Sequence, residues 1–589
     1  VAVVAVCGAS LAIGQAALAL CGARRWTWLA PAIGLGLVCA ICWATVRLPG
    51  DGVISALTVL FLALAGAIYL RRRLEGGGGA LRTGLPVALG ALLAASLPFA
   101  VEGHFGILGT GFNPDMSQHL LATDRLAHDE TSQLLRQGYP LGPHAVVVSL
   151  NKSLGVGLVQ GFTGLTIATA ILAPLTALAA FPNASRLRGT ATVLVIGLPY
   201  LVASYYAQGA FKELIQAVLV LAFVLALRES TRSWTRLQLR YVPAALIAIG
   251  TVYVYSFPGL IWLGAIAALY LLADWASTKR ASPAATRAAS LAVLVLAIGT
   301  LPELGRMLDF HNFETFDPTG PGLGNLFGQI SPFEALGIWP SGDFRIAPGD
   351  GAAPAFVYYL GAAFAAVLLL LGLHRCRRQR ERAILAGVAA VAAVYAAARI
   401  GGTPYTAAKA LVIASPVVSL AIVMSRDGVA WRLDPHTGDK GARPTRRASP
   451  SLALYLLAAG FCSLLAFANA PVGPTSYSPA LTELRPLLAT SSTLVLAPDS
   501  LLADEHGERY IAWELRGGRV CIEPESAAGG APPPGIRFVV AGDPAARPPF
   551  GQLTLRRRAG PYTVWERRGV LGGPSPCPLI AERQVRAAP

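Results

Sequence analysis

Charge is scarce in this chain. Only 14% of its 589 residues are Asp, Glu, Lys or Arg, against about a quarter in soluble domains. With 54% hydrophobic residues and a mean hydropathy of +0.54, an ordinary soluble domain is excluded. Glycine-rich phosphate loops, HExxH and zinc-type Cys/His spacings are absent, so nothing points to a P-loop nucleotide site or a zinc centre. There is no internal repeat of the kind that builds many transporters from two related halves. The formal net charge of +16 does not form one basic patch, so nucleic acid is not an expected partner. Lysine is rare beside arginine, and with the abundant alanine this suggests a GC-rich genome.

What is present is a series of apolar runs. Several reach the roughly 20 residues needed to cross a bilayer. Hydropathy gives about fourteen spans, near 1–22, 26–46, 53–70, 83–101, 157–181, 190–207, 211–227, 241–256, 258–274, 289–304, 354–373, 383–400, 408–424 and 452–471. The first run lacks a basic leader and a small-residue cleavage site, so it reads as a span. Basic residues gather in alternate loops: Arg24–Arg25, Arg71–Arg73, Arg186 and Arg188, Arg228 to Arg240, Lys279 and Arg280, Arg375 to Arg382, and Arg426 to Arg447. Such loops are normally cytoplasmic. The other side, outside the plasma membrane, then holds both termini, the polar stretch after the fourth span, the 305–353 loop and residues 472–589.

The domain reading has three parts: N-terminal helices over 1–82, a membrane module over 83–471 with outer loops 102–144 and 305–353, and an outer domain over 472–589. The 305–353 loop is rich in Gly, Pro and aromatics and is long enough to cover a site. Beyond 472, short runs such as STLVLAP, GRVCIE, IRFVVAG and PYTVWER flank the helical candidate GERYIAWELRG. They predict a small α/β domain. Of the eight cysteines, Cys39 and Cys42 form a CxxC within a span, where packing outweighs redox chemistry. Cys521 and Cys577 stand in the C-terminal region and can pair if it is extracytoplasmic.

The most informative stretch is Val101–His144. Asp115, His119, Asp124, His128, Asp129, Glu130 and His144 fall within it. Ionisable groups beside a membrane span are costly unless they are used; the alternative is an ordinary wet loop. Asp115 and His119 are four apart, as are Asp124 and His128, so each pair shares a helix face. Nine residues separate the pairs, which puts them on opposite faces of a continuous helix. Asp115 and His119 follow a Gly-Thr-Gly-Phe-Asn-Pro turn, with Asn113 suited to a cap and Pro114 to a first helical turn. A carboxylate held there can act as a general base on a hydroxyl, or it is simply an acid favoured by the helix dipole. Asn113, Asp115 and His119 could also bind a divalent ion, although one carboxylate makes a weak site.

Three cations lie at one depth, on the outer side of their spans: Lys409 in GTPYTAAKALVIASP, Arg399 at the end of the preceding run, and Lys212 in YYAQGAFKEL, with Tyr405 between the first two. Lysine binds phosphate as a point charge and arginine adds a bidentate grip. Snorkelling at helix ends is the competing reading for each one singly.

An acid in the first large outer loop, followed by Tyr139-Pro140-Leu141-Gly142-Pro143-His144 entering the next span, resembles the GT-C superfamily of membrane glycosyltransferases. Many members show a paired acid where this chain has Asp115-Met116, and the three additional N-terminal spans lie outside the minimal pattern. The resemblance implies a polytopic α-helical membrane protein with a small C-terminal extracytoplasmic α/β domain. It also implies transfer, with inversion, of a sugar from a polyprenyl-phosphate donor to a glycan, lipid or protein hydroxyl. Asp115 and His119 would be catalytic; Lys409, Arg399, Tyr405, Lys212, Tyr139 and His144 would bind the donor and its phosphate. The alternatives are a transporter or flippase of envelope lipids or glycans, and a membrane scaffold that displays the C-terminal domain.

Overall fold

The computed structural model describes the chain apart from residues 74–76, 131, 182–186, 231–235, 279–282, 312–321, 352, 426–449, 490, 503–506, 530–531, 543–546, 570–572, 575–576 and 578–589. The basic clusters at Arg186, Lys279–Arg280 and 426–447, and ten residues of the aromatic loop, therefore lie outside the described residues.

Helices dominate. The chain opens with α1 (Ala2–Leu20), α2 (Ala30–Thr45), α3 (Asp51–Arg73) and α4 (Gly77–Glu102). The polar stretch holds β1 (Ile107–Leu108), α5 (Met116–Ala127) and α6 (Gln133–Arg136). Then follow α7 (Gly142–Leu154), α8 (Leu158–Ala177), α9 (Leu187–Gly197), α10 (Tyr200–Ala207), α11 (Phe211–Ser230), α12 (Val242–Thr278), α13 (Pro283–Thr300) and α14 (Leu304–His311). After a loop come α15 (Ala355–Arg378), α16 (Arg382–Gly401), α17 (Pro404–Val423) and α18 (Pro450–Ala468). The remainder is mixed: β2 (Val472–Gly473), α19 (Pro479–Leu488), β3 (Ser492–Ala497), α20 (Asp499–Leu502), α21 (Gly507–Glu514), β4 (Arg519–Pro524), β5 (Phe538–Ala541), β6 (Leu553–Ala559) and β7 (Tyr562–Arg567).

Two compact units result, one from residues 1–103 and 137–471, the other from 104–136 and 472–589. In the first, ten helices among the described residues are long and apolar enough to cross a bilayer, or eleven if the bent pair α9–α10 is one span. The sequence count of about fourteen is not reached on these criteria, for three physical reasons. Helix α2 has 16 residues, α11 carries Lys212, Glu213, Arg228 and Glu229, and α12 is continuous by hydrogen bonding.

Yet α12 is not straight. Its backbone breaks at Ser256 (φ 58°, ψ −157°) ahead of Pro258. A Cβ on Gly259 would lie 2.4 Å from Thr251 Cγ2, whereas eight residues of straight helix span about 12 Å. Tyr270 likewise lies beside Tyr241 and Arg240. The apolar runs 241–256 and 258–274 thus form the two limbs of a hairpin with Ser256 at its tip.

Among the ten candidate spans α8 and α17 are the most enclosed, with 94% and 83% of their apolar windows buried, and α11 buries every apolar residue it has; the remaining candidate spans expose apolar faces, as lipid contact requires. Close approach within the bundle depends on small residues. A Cβ on Gly34 would sit 1.7 Å from the Ser10 carbonyl oxygen, so no larger residue fits where α2 crosses α1.

The second unit is built on a five-stranded sheet of order β4-β3-β5-β7-β6, parallel across β4, β3 and β5 and antiparallel beyond. One face buries Leu481, Leu484 and Leu488 of α19 and Ile511 of α21 against Val495, Val540 and Val564. The other buries Leu494, Leu496, Val539 and Trp565 with Cys577. Cys521 and Cys577 are disulfide-bonded, with Cα atoms 5.0 Å apart. The polar stretch joins this unit through β1, whose Ile107 and Leu108 pair with Gly473 and Val472. The disulfide closes a loop of 56 residues, so Cys521→Ser should destabilise this unit by about 2–5 kcal/mol. Limited proteolysis of the full chain should then cut first within 472–589; an unchanged digestion pattern would show that the bond contributes little.

Candidate functional site

The cation site of the first unit is assembled at the N-terminal ends of α11 and α17. Lys212 is the second residue of α11 and Lys409 lies in the second turn of α17. Free N–H groups and the helix dipole favour an anion at such ends. Between the lysines stands Glu213, 5% exposed, whose Oε1 is 3.3 Å from Lys409 Nζ. The Tyr255 hydroxyl, from the hairpin limb leading to Ser256, donates to the same oxygen at 3.4 Å. Two ammonium groups against one carboxylate leave a net positive charge in a largely desolvated place.

Aromatic rings surround these cations. Lys212 Nζ is 3.8 Å from the ring centroid of Tyr139 and 5.9 Å from that of Tyr255. Lys409 Nζ is 4.1 Å from that of Tyr405. Each is a cation–π arrangement. Thr403 caps α17 by accepting from the Thr406 N–H, and Pro404 sits in its first turn, which sets where Tyr405 and Lys409 emerge. The aromatic loop returns here: the Tyr405 N–H donates to the Gly322 carbonyl at 3.0 Å, and Asn325 donates to Gln208 at 2.5 Å.

The other donor candidates of this unit divide. His144 is fully buried, with its ring edge-on to those of Phe162 (5.4 Å), Phe211 (5.6 Å) and Tyr139 (6.2 Å). It packs behind Tyr139 and beside the start of α11. Arg399 stands exposed near the C-terminal end of α16.

In the second unit, Asp115 is the residue at the start of α5, half-buried, and its N–H donates to Asn113 Oδ1 at 3.0 Å. The helix therefore begins two residues later than the Asn113 cap and Pro114 turn predict, because a turn over Gly109–Asn113 intervenes. His119 is one turn on and buried. Helix α5 is continuous, so the Asp124 side points elsewhere: Asp124 Oδ1 is 3.6 Å from Arg516 Nε, and Gln118 accepts from Arg509 at 3.3 Å. Arg516 also stacks on Trp513 at 3.6 Å, and burial lowers its guanidinium to about 10 despite the neighbouring acids. Tyr477, packed on Tyr510 at 4.5 Å, has its phenol raised by burial first and then by Tyr510, Glu514 and Asp115. Tyr477 is thus a neighbour of Asp115.

Asp124 accordingly fastens α5 to the turn that follows α21. Asp124→Asn should leave turnover near wild type and cost about 1 kcal/mol or less, since both partners are partly exposed. Parallel kinetics and thermal unfolding check this; a large loss of turnover would place Asp124 in the chemistry.

Among the described residues, no three His, Cys, Asp or Glu side chains converge as a metal site. Asn113, Asp115 and His119 supply one carboxylate. Glu213, Tyr255, Arg516 and Tyr477 are the site neighbours that sequence reasoning missed. Glu213 alone carried a signal, as an acid beside Lys212 at the head of an apolar run.

No family model matches the sequence, and no curated protein does. Solved structures do. The chain is similar to an arabinofuranosyltransferase, AftD, from Mycobacteria, with a TM-score of 0.51 and 14% identity over 84% of this chain and 40% of that one. It spans well under half the length of that protein. A weaker likeness, TM-score 0.48 and 13% identity over 83% of this chain and 98% of the other, is to ArnT from Cupriavidus metallidurans bound to undecaprenyl phosphate. Taken with its apolar helices and the sheet-containing C-terminal region, this is a multi-pass membrane protein with the fold of the GT-C glycosyltransferases.

Proposed function

We propose that the chain is a membrane glycosyltransferase that moves a sugar from a polyprenyl-phosphate carrier to a hydroxyl of a glycan, lipid or protein. One observation carries the reading: in a GT-C fold, Lys212 and Lys409 stand together at two helix N-termini, around Glu213 and under Tyr139, Tyr255 and Tyr405. In this reading the donor phosphodiester carries one negative charge, and the departing polyprenyl phosphate gains a second. Cations at that oxygen stabilise the transition state more than the bound donor.

The acceptor oxygen attacks the anomeric carbon while the bond from that carbon to the phosphate oxygen breaks. The electron pair leaves on the phosphate, the configuration inverts, and the acceptor proton passes to the Asp115 carboxylate. His119 lies one turn along the same helix face, His144 packs against Tyr139, and Arg399 stands exposed near the C-terminal end of α16. The distribution of basic loops supports an outer-face site on a bacterial plasma membrane, with 83–471 as the catalytic module, 1–82 as additional helices and 472–589 outside.

Native mass spectrometry of the purified full chain with undecaprenyl phosphate tests the donor site. One bound lipid is expected, retained in Asp115→Asn and lost in Lys212→Ala/Lys409→Ala. Equal binding by the double variant would overturn the assignment.

A further inference from the structure

We infer that Arg306 is a positioning residue for this cation site, and that α14, tied to the N-terminal helix α2, braces Tyr139 and Tyr255 around Lys212. The inference rests on Lys212 and Lys409 being the donor-phosphate site.

Arg306 is 90% buried, with side-chain exposure of 10%, and one guanidinium grips two separate stretches of backbone. Its Nη1 donates to the Gly138 carbonyl at 2.8 Å and its Nη2 to the Val252 carbonyl at 3.0 Å. Gly138 immediately precedes Tyr139. Val252 lies one helical turn before Tyr255. Both tyrosines lie against Lys212, so the two parts of its aromatic surround are set by one side chain. The planar fork of arginine makes both bonds at fixed relative directions, which a lysine cannot do.

A second contact repeats the pattern. Phe310 is four residues on, hence on the same face of α14. Its ring centroid is 5.8 Å from that of Tyr139 and 6.2 Å from that of Phe257 at the hairpin tip. Gly138 has φ 68°, and a Cβ there would lie 2.3 Å from the Arg306 carbonyl oxygen and 2.7 Å from the Phe310 nitrogen. The α14 backbone therefore touches the segment it positions, and only glycine fits between them.

The brace is anchored from the other side. Arg306 Nε donates to Glu303 Oε2 at 2.5 Å. Glu303, 3% exposed, also accepts from Trp43 Nε1 at 2.9 Å and lies 3.5 Å from Arg47 Nη2. Arg47 stacks on Trp43 at 4.5 Å. Both belong to α2 or the turn after it. A chain of charge-assisted hydrogen bonds thus runs from α2 through Glu303 and Arg306 to the two tyrosine segments.

The test measures undecaprenyl phosphate affinity by native mass spectrometry, with thermal unfolding in parallel, for wild type, Lys212→Ala, Arg306→Gln, Arg306→Lys, Trp43→Phe and Lys212→Ala/Arg306→Gln. Arg306→Gln should weaken binding by about tenfold, with Arg306→Lys intermediate. Trp43→Phe, which removes the indole N–H and leaves a smaller aromatic ring in its place, should weaken it by about threefold without unfolding the chain. In the Lys212→Ala background Arg306→Gln should add almost nothing, because the residue it serves is gone. Full additivity, or wild-type affinity in both Arg306→Gln and Trp43→Phe, would overturn the inference and leave the donor site intact. Wild-type affinity in Lys212→Ala would instead overturn the donor-site reading itself.

Discussion

Asp115→Asn should lower turnover by about 10²–10⁴-fold, the usual loss when a general base is removed, while donor binding stays near wild type. The substitution keeps the side-chain shape and the bond from the Asp115 N–H to Asn113 Oδ1, so the start of α5 should persist. It removes only the group that can accept the acceptor's proton. Single-turnover measurement with saturating donor separates this from a binding defect, because an interaction made only in the transition state lowers kcat and kcat/KM alike. Asp124→Asn is the matched control: another carboxylate on the same helix, held by Arg516. Equal losses in both variants would place Asp124 in the chemistry as well and contradict Asp115 as the single base.

Lys409→Ala should weaken polyprenyl-phosphate binding by about 10–100-fold, the range for a hydrogen bond to a charged group. It has a second consequence that can be separated from the first. Glu213 is 5% exposed and pairs with Lys409 at 3.3 Å; removing that ammonium leaves a buried carboxylate with Lys212 as its remaining cationic neighbour, and the chain should lose stability. Adding Glu213→Gln removes the stranded charge. Lys409→Ala/Glu213→Gln should therefore recover most of the thermal stability and none of the donor affinity. Recovery of both would show that Lys409 serves Glu213 alone.

Much of this was legible in the sequence, and the limits are instructive. The apolar runs and the change of composition at 472 give a membrane bundle and a mixed α/β region, because burial in lipid and burial in a small sheet require different patterns. Lys212 and Lys409 were recognisable from depth alone: each is a cation near the start of an apolar helix. That they share Glu213 was not, since a pairing between distant helices leaves no periodic trace.

The hairpin at Ser256 shows the same boundary. Pro258 and Gly259 mark a break, but a reversal is fixed only by what packs on each limb, such as Tyr270 beside Tyr241. The attachment of the polar stretch to the C-terminal unit rests on two short strands, Ile107–Leu108 and Val472–Gly473, too brief to carry an alternation signal. The start of α5 was misplaced by two residues for a local reason: Asn113 caps through its side chain as expected, but it serves Asp115 rather than opening the helix at Pro114. Arg306 gave no signal beyond its spacing from Glu303 and Phe310, because its partners are backbone carbonyls and any residue supplies those.

The most direct measurement of the central claim is the fate of the lipid carrier. Purified full-length chain in nanodiscs would be incubated with envelope lipids bearing polyprenyl-phosphate sugars and an envelope acceptor extract, and both lipid species followed by mass spectrometry. Loss of the sugar-linked carrier should match the appearance of free polyprenyl phosphate mole for mole, and Asp115→Asn should abolish both changes within the same period. Carrier that crosses or binds the membrane with its sugar still attached, at the same rate in wild type and Asp115→Asn, would contradict glycosyl transfer as the activity of this chain.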